Sequence, residues 1–431
     1  MEGSRALAEA AAKGAARSRW VSMSRASGLA IMAMGPTVEI RQDPPREGTV
    51  VREVQAGIQR EWAVPGWQTD WAPSGAPVEN FDWTGVRPVN GVSLEEKLEV
   101  VTRLRERLQA RDPRIVQVMV RYQESVEENR VATEAFDRRS RVGRVHFMAH
   151  IVVHKDGRSE YEYQGQGAVG GFEIASIDDE DVDRMVERAV RLLDATSIEP
   201  GSYKVVTTPE VSGVLAHEAF GHGVEMDLFL SDRARSQRYI GQRVGSDFAT
   251  IIDDPAVPGG FGGYPFDDDG ELASPHVILD HGILKGGLAD ADAAQALHAV
   301  GGNGRRQDYS RKVYPRMTNT YFQPGTSTPE ELIAGVEHGV YLHRVESGME
   351  DPRNWGLQIT CHYGEEIRDG SLTGKLYRTL GMTGYVPDVL QSIDGAANDF
   401  AMWPGHCGKG WKEWVTNGTG GPHLRMTARL G

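Results

Sequence analysis

The chain has almost no cysteine: Cys361 and Cys407 are the only two in 431 residues. A disulfide framework is excluded, and so sparse a use of cysteine in a chain of this size points to a reducing compartment. Positive charge is short as well, with 47 Lys and Arg against 61 Asp and Glu and a formal net charge of -14. That balance argues against a general nucleic-acid surface, because no stretch offers the dense basic field that neutralises phosphates. The Arg-rich pieces Arg138-Arg139-Ser140-Arg141 and 233–238 read as solvated loops and strand edges. Also missing is any run approaching the roughly 20 apolar residues that span a bilayer. The Ala-rich, charged opening over residues 1–20 lacks the apolar core of a signal peptide. The expectation is a soluble, cytoplasmic protein that binds neither nucleic acid nor membrane, in which Asn417-Gly418-Thr419 has no glycosylation meaning.

What the chain does have is periodicity, over a length that allows two or three domains. In the first ninety residues, 28–34 and 38–40 alternate like strands, whereas 62–83 is rich in Pro, Trp and Gly and reads as an irregular loop. Ser93-Leu94-Glu95-Glu96 has the form of a capping box. Leu94, Leu98, Val101, Leu104 and Leu108 follow at helical spacing and predict a helix to about Ala110. Period-two segments at 115–126, 129–136, 143–154 and 159–164, separated by Glu-Asn, Arg-rich and Lys-Asp-Gly turns, predict an antiparallel meander. Val182, Met185, Val186, Ala189, Val190 and Leu193 restore the helical period over 178–194, and Glu199-Pro200-Gly201 punctuates the chain. Further on, strands are expected at 203–208, 248–253, 276–279, 283–288, 358–363 and 423–427, with one clearer helix over 329–339 capped by Thr328. The fold class is α+β: a divergent segment 1–92 within the N-terminal domain, an α+β unit of helix, meander and helix over 93–197, and a β-rich unit over 198–431.

Near the middle stands His217-Glu218-Ala219-Phe220-Gly221-His222-Gly223. Hydrolytic zinc sites of the H-E-x-x-H kind set their histidines four apart on one helix face and use the glutamate as general base. Here the spacing is five, which on a regular α-helix turns the rings about 140° apart. A π-bulge, or an early helix end eased by Gly221 and Gly223, restores convergence. A catalytic zinc needs at least three protein ligands and a position left for water. Beside the histidines, the candidates for the third are Glu225, Cys407 and Cys361. Cys407 lies in Pro404-Gly405-His406-Cys407-Gly408-Lys409-Gly410, a glycine-flanked turn whose lysine favours the thiolate. Cys361 alternates like a packed strand residue, and its neighbour His362 faces the opposite way, so the two do not make a nucleophile pair.

Other motifs carry less. Asp253-Asp254 and Asp267-Asp268-Asp269-Gly270 lack EF-hand spacing and its terminal glutamate, so turn formation and solubility account for them. Gly301-Gly302-Asn303-Gly304-Arg305-Arg306 has neither the strand-to-helix setting of a dinucleotide loop nor a P-loop lysine. Its arginines suit substrate carboxylates or carbonyls instead.

Gly213-Val214-Leu215-Ala216-His217-Glu218-Ala219-Phe220-Gly221-His222-Gly223-Val224-Glu225 is followed in order by Asn303-Gly304-Arg305-Arg306, by Pro315-Arg316-Met317-Thr318-Asn319-Thr320-Tyr321 and by Gly405-His406-Cys407-Gly408-Lys409. From about residue 93 to its end the chain thereby resembles the TldD/PmbA family of zinc-dependent peptidases. The resemblance implies a Zn2+ held by His217, His222 and Cys407, Glu218 as the base, and an α+β N-terminal domain before a β-rich C-terminal one. It also implies a dimer, either of this chain or with a related TldE/PmbA-type subunit. Asn303, Arg305, Arg306, Arg316 and Asn319, within the shared segments, are the candidate substrate-binding residues. The expected activity is hydrolysis of peptide bonds in unfolded or extended peptides. Segments 62–83 and 346–355 depart from the family's pattern. Were they to line the cleft, a small amide or peptide natural product, tailored by hydrolysis or acyl transfer, becomes the alternative substrate. A closed four-ligand shell would instead mark a non-catalytic partner subunit with a structural metal.

Overall fold

The computed structural model describes residues 18–35, 37–55, 58–410 and 413–431; the Ala-rich opening through residue 17 lies outside them. Seven strands form the first sheet: β1 (Ser18–Met34), β2 (Thr37–Gln55), β3 (Ile58–Pro65), β4 (Val78–Trp83), β5 (Ile115–Ala132), β6 (Asp137–Lys155) and β7 (Arg158–Val169). Their order is β3-β2-β1-β5-β6. The far edge of β6 is shared by β4, parallel to residues 137–142, and β7, antiparallel to 144–155. Helices α1 (Leu94–Gln109) and α2 (Asp179–Leu192) cover one face, capped by Ser93 and Asp178, whose side chains accept the Glu96 and Asp181 N–H groups. Strand alternation decides what each face does. On β6, Phe147, Ala149 and Ile151 are buried in the core under the helices, while His146, Met148 and His150 turn the other way and line a cleft.

Several expectations change here. Residues 127–129, expected as a turn, run straight through β5 because both neighbours hold them: Glu127 pairs with Ala26 of β1 and with Val142 of β6. The chain reverses instead at 133–136, where Thr133 Oγ1 accepts the N–H groups of Ala135 and Phe136. Arg138, expected in a solvated loop, is 3% exposed. Its guanidinium donates to Glu79 and to the Gly270 carbonyl and lies 4.1 Å over the Phe136 ring, partners that only a packed setting supplies. The stretch 62–83 is irregular in its middle alone, since its ends belong to β3 and β4.

The second half contains β8 (Gly201–Thr207), α3 (Pro209–Phe220), α4 (Met226–Leu230), β9 (Ile251–Asp253), β10 (His276–Asp280), β11 (Ile283–Leu284), α5 (Ala291–Leu297), β12 (Gly304–Arg305), β13 (Tyr314–Pro315) and β14 (Asn319–Phe322). Then come α6 (Pro329–Ala334), β15 (His338–Glu350), β16 (Gly356–Arg368), β17 (Ser371–Tyr385), α7 (Val386–Gln391), β18 (Gly395–Ala396), β19 (Ala401–Lys409), β20 (Glu413–Gly421) and β21 (Leu424–Leu430). One sheet runs β17-β16-β15-β8-β21-β18 and closes on itself where Met382 and Thr383 of β17 pair with Leu430 and Arg429. The other runs β11-β10-β9-β14-β20-β19. Helix α3 packs against strands of both, and its buried residues lie all around it, as befits a core helix. It comes close to β20 because residue 213 is glycine: a Cβ there would sit 2.3 Å from Gly420 N.

Two further corrections belong to this half. Helix α6 stops at Ala334 rather than near 339, since His338 already pairs in β15. The aspartates expected to serve solubility are inside: Asp253, Asp267 and Asp269 are all buried. Backbone and hydroxyl donors make this tolerable. Asp267 accepts the N–H groups of Asp269, Glu271 and Gly304, and Asp253 accepts the Thr318 N–H and the hydroxyls of Thr318 and Thr320. Among the described residues no helix is long and apolar enough to cross a membrane.

Candidate metal centre

Helix α3 opens on Pro209 and carries His217 and Glu218 on its last turn. The spacing of five is resolved by ending the helix, not by a π-bulge: Gly221 is the C-cap, and His222 begins a 3-10 turn, His222–Val224. Gly221 N–H donates to His217 O at 2.9 Å. A Cβ on Gly221 would meet that oxygen at 2.3 Å and Met317 Sδ at 2.5 Å, so no larger residue turns the chain this tightly. The two imidazoles end 5.0 Å apart between centroids, at 84° to each other.

Cys407 arrives on β19. Its segment, expected as a turn, is strand through Lys409, with Cys407 opposite Val415 of β20, and Gly410 at φ 59 follows its end. Cys407 Sγ lies 3.2 Å from His222 Nε2, and one ligand atom each of His217, His222 and Cys407 lie within 4.8 Å of one another. Burial would push the Cys407 thiol up, but the His217 and His222 rings outweigh it and hold the thiol well below its usual range. His222 is held well above its own range, against burial, by Cys407 and Glu225.

Glu225, the carboxylate candidate, is the hub behind this cluster and not a member of it. It accepts from Arg316 Nε at 3.0 Å and Lys409 Nζ at 3.1 Å, and it faces His222 Nδ1 at 3.6 Å. Burial raises its pKa, yet Lys409, His222 and Arg316 together bring it far below the usual carboxylate range. A carboxylate behind one nitrogen of an imidazole fixes the other as the ligand. Lys409, expected to favour the thiolate, is taken up by Glu225 and Asp227. The cation that touches the sulfur is Arg316, whose Nη2 is 3.0 Å from Cys407 Sγ. Cys361, in β16, is fully buried and takes no part.

Two residues beside the cluster carry no sequence signal for a role there. Asn417 Nδ2 lies 3.2 Å from His217 Nδ1, while its Oδ1 is buried without a partner. Turning the amide over puts Oδ1 against an Nδ1–H, satisfies the orphan and leaves Nε2 of His217 for the cluster. Glu350, at the end of β15, has both carboxylate oxygens buried without a partner among the described residues, and burial pushes it well above its usual range. Asn417 is reached through β20 and Glu350 through β15, so neither shares any local spacing with the histidine motif.

The cluster borders a cleft of about 770 Å³. His217 and Glu218 of α3 form one wall, Ser347 and Gly348 of β15 a second, Trp403 to His406 of β19 a third, and His146, Met148 and Tyr163 of the first sheet the roof. Glu346 also lines it, whereas residues 62–83 do not. Glu218 fits against β15 because residue 348 is glycine, whose Cβ would come within 2.7 Å of Glu218 Oε1. Arg344, at φ 54 just before a register shift in β15, ties the walls together through Glu162 and Gln164 of β7 and Glu210 of α3. The five candidate substrate residues do not line this cleft. Asn303 and Asn319 are fully buried, Asn303 donating to Asp253 and Asn319 to the Asp254 carbonyl. Arg305 donates to the Met317 and Thr416 carbonyls, Arg306 to Ser22, and Arg316 to Glu225 and Cys407.

Two imidazoles and a sulfur held toward the thiolate suit a borderline-soft divalent ion such as zinc better than magnesium or calcium. With a carboxylate beside them in an open cleft, this is the equipment of a metal-dependent hydrolase. Comparison with known proteins agrees. The model of the PmbA/TldA metallopeptidase C-terminal domain matches residues 200–429, and that of the central domain matches residues 87–195. A metalloprotease of Methanocaldococcus jannaschii is 31% identical over 82% of this chain and 78% of its own length. A metalloprotease TldD homolog of Buchnera aphidicola is 28% identical over 80% and 74%. A zinc metalloprotease TldD homolog of Saccharolobus solfataricus is 32% identical over 56% of this chain and 54% of its own. The fold is shared with TldE from Thermococcus kodakarensis, at a TM-score of 0.74 and 15% identity over the whole of both chains. It is shared equally with a Thermotoga maritima protein named for modulation of a DNA gyrase, at 0.80 and 17% over 99% and 98%. The chain belongs to the PmbA/TldA metallopeptidase family, and is by that membership a hydrolase.

Proposed function

We propose that the protein is a zinc-dependent peptidase of the cytoplasm, with His217, His222 and Cys407 as ligands, Glu218 as general base and extended peptides as substrates. The observation that carries this is the meeting of three ligand atoms within 4.8 Å, on elements almost two hundred positions apart, beside the cleft that Glu218 lines. The word zinc in the name of the Saccharolobus relative adds support. When bound, the ion supplies Lewis acidity, polarising the scissile carbonyl and lowering the pKa of a water toward neutrality.

The chain's own residues do the rest. Glu218 takes a proton from the attacking water and returns it to the leaving nitrogen. Gly348 leaves it room, and Glu225 and Asn417 hold the two imidazoles by their outer nitrogens. Strand β19 is the outermost of its sheet among the described residues and residues 403–406 line the cleft, so an extended peptide can lie along it and pair with main-chain groups other than those of Pro404, which has no N–H, with little sequence preference. The family resemblance adds pairing of two subunits, with a second copy or a related TldE/PmbA-type chain.

Elemental analysis with a peptide-cleavage screen tests the reading. The wild type should carry about one zinc per chain, as an open three-ligand site requires. Glu218→Gln should keep the metal and lose cleavage by at least a hundredfold, in line with general-base losses, and Cys407→Ala should lose the metal. Undiminished turnover by the Gln variant removes Glu218 from its role. Cleavage of small amides in preference to a peptide library would favour the tailoring alternative.

A further inference from the structure

Strand β15 is distorted where it passes the cleft. Arg344 takes a left-handed φ of 54, a conformation that residues other than glycine seldom adopt. The pairing with β16 then slips by one residue between Val345, opposite Cys361, and Ser347, opposite Thr360. Glu346 is the extra residue of this bulge and has no partner in β16. Bulges and left-handed residues gather at functional sites, where a bulge re-aims a side chain. The side chain at this bulge lines the cleft. Tyr161 of β7 donates its hydroxyl to Glu346 Oε1 at 2.6 Å, and His362 Nδ1 lies 3.2 Å from the same oxygen. Among the described residues no hydrogen bond reaches Oε2, and the side chain remains 31% exposed.

The rest of the cleft offers charge of one sign. Glu210, Glu218 and Glu346 line it, and among the described residues no lysine or arginine does. Glu210 is ion-paired with Arg344, whose Nη1 is 3.2 Å from its Oε2, and Glu218 is the base of the proposed reaction. Burial holds His146 and His150 below the usual histidine range, so these roof residues add no positive charge at neutral pH. Glu346 is therefore the carboxylate left to meet a substrate. Its place along the strand fixes which part of a substrate it meets. Gly348, whose Cβ would touch Glu218, stands two residues further along β15, roughly 7 Å away, and an extended substrate also advances about 3.4 Å per residue. We infer, on the peptidase reading above, that Glu346 determines specificity by accepting a cationic nitrogen of the substrate, an α-ammonium or a basic side chain, within about two residues of the reacting bond. A neutral peptide would leave that carboxylate oxygen to solvent and gain nothing from it.

A matched peptide series tests this on the zinc-loaded full chain: one lysine-containing sequence with its α-amine free or acetylated and its lysines free or acetylated. The wild type should cleave the fully cationic peptide with a kcat/KM at least about tenfold above that of the fully acetylated one, the size of effect a hydrogen bond to a charged group supplies. Glu346→Gln should bring the ratio to within about threefold of one at unchanged zinc content, and Glu346→Lys should favour instead the peptide with glutamates in place of the lysines. Whichever acetylation removes the preference identifies the nitrogen as the α-amine or the side chain. Fluorescence anisotropy of the same peptides on zinc-loaded Glu218→Gln should show the same order, and the added Glu346→Gln should abolish it. A binding preference without any cleavage by the wild type would retire the peptidase reading and keep this one, whereas cleavage without preference would do the reverse. Absent or equal affinity for the cationic and acetylated peptides, or a preference that outlives Glu346→Gln, overturns the proposal.

Discussion

At the scale of single residues, the candidate centre is unusual in the cation that steadies its sulfur. Arg316 is 1% exposed and spends its guanidinium on Glu225 Oε1, Cys407 Sγ, the Cys407 carbonyl and the Glu413 carbonyl, at 2.9 to 3.0 Å. Removing it would leave Glu225 to Lys409 and His222 and the sulfur without its outer donor. Loss of partners behind metal ligands typically costs 10–100-fold in metal affinity, and breaking a buried ion pair costs about 3–5 kcal/mol in stability. Arg316→Met should therefore show both effects, read by competition with a chromophoric chelator and by thermal melting. A zinc affinity within threefold of wild type would mean that the Arg316–Cys407 contact does nothing for the ion. How far these roles can be read in advance depends on how local they are. His217, Glu218 and His222 sit in seven consecutive residues, so their spacing is visible in the sequence, and so is the need to break the helix between them. Cys407 stood as one of three candidates until the resemblance singled it out, because its 185-residue separation from His222 carries no period. The contacts of Arg316 with Glu225 and Cys407 follow no local pattern, and Asn417 stands in the sequence only within a sequon without glycosylation meaning.

At the scale of elements, the site depends on how closely α3 lies on β20. The conflict at Gly213 can be decided by magnitude. Replacing a mid-helix glycine by alanine favours the helix by about 1 kcal/mol. The new Cβ, however, would sit 2.3 Å from Gly420 N and 2.7 Å from Gly420 Cα, and backbone in a paired strand cannot step aside as a flexible side chain would. Overpacking of this kind costs about 1–3 kcal/mol or more. Gly213→Ala should thus lower the melting temperature by several degrees and weaken metal retention, because α3 carries His217 and β20 carries Asn417. Gly286→Ala, where a Cβ meets nothing within 4 Å, is the control and should be neutral. Equal behaviour of the two variants would show that α3 has slack. Elements also explain which parts of the fold could be foreseen. Helices α1 and α2 announce themselves because each buries one stripe and exposes the other. Strands β1 and β2 were only glimpsed, because much of β2 has no buried face to impose alternation. The turn expected at 127–129 failed because polar residues that break an isolated strand are carried when strands on both sides supply the hydrogen bonds.

At the scale of the whole molecule, the cleft exists because the first sheet roofs the second half, and His146 records how tightly the two meet. Its ring lies 5.9 Å from Phe261, which in turn lies 5.8 Å from His406 of β19. Burial between the two halves, helped by His406, Arg121 and His150, lowers the His146 pKa from 6.5 to about 4. The sign follows from linkage. Between these values the unfolded chain binds a proton that the folded chain refuses, so the contribution of His146 is fully present above 6.5 and is lost as pH falls toward about 4. A difference of this size corresponds to roughly 3 kcal/mol. His146→Gln, which has no proton to refuse, should flatten that part of the stability profile. Denaturant unfolding of both proteins at pH 7, 5.5 and 4 should show the wild type losing more stability than the variant by roughly that amount. Any loss of bound metal on acidification acts on both proteins alike and cancels in the comparison. Parallel profiles would mean that water reaches His146 freely and that the two halves part more easily than their packing suggests.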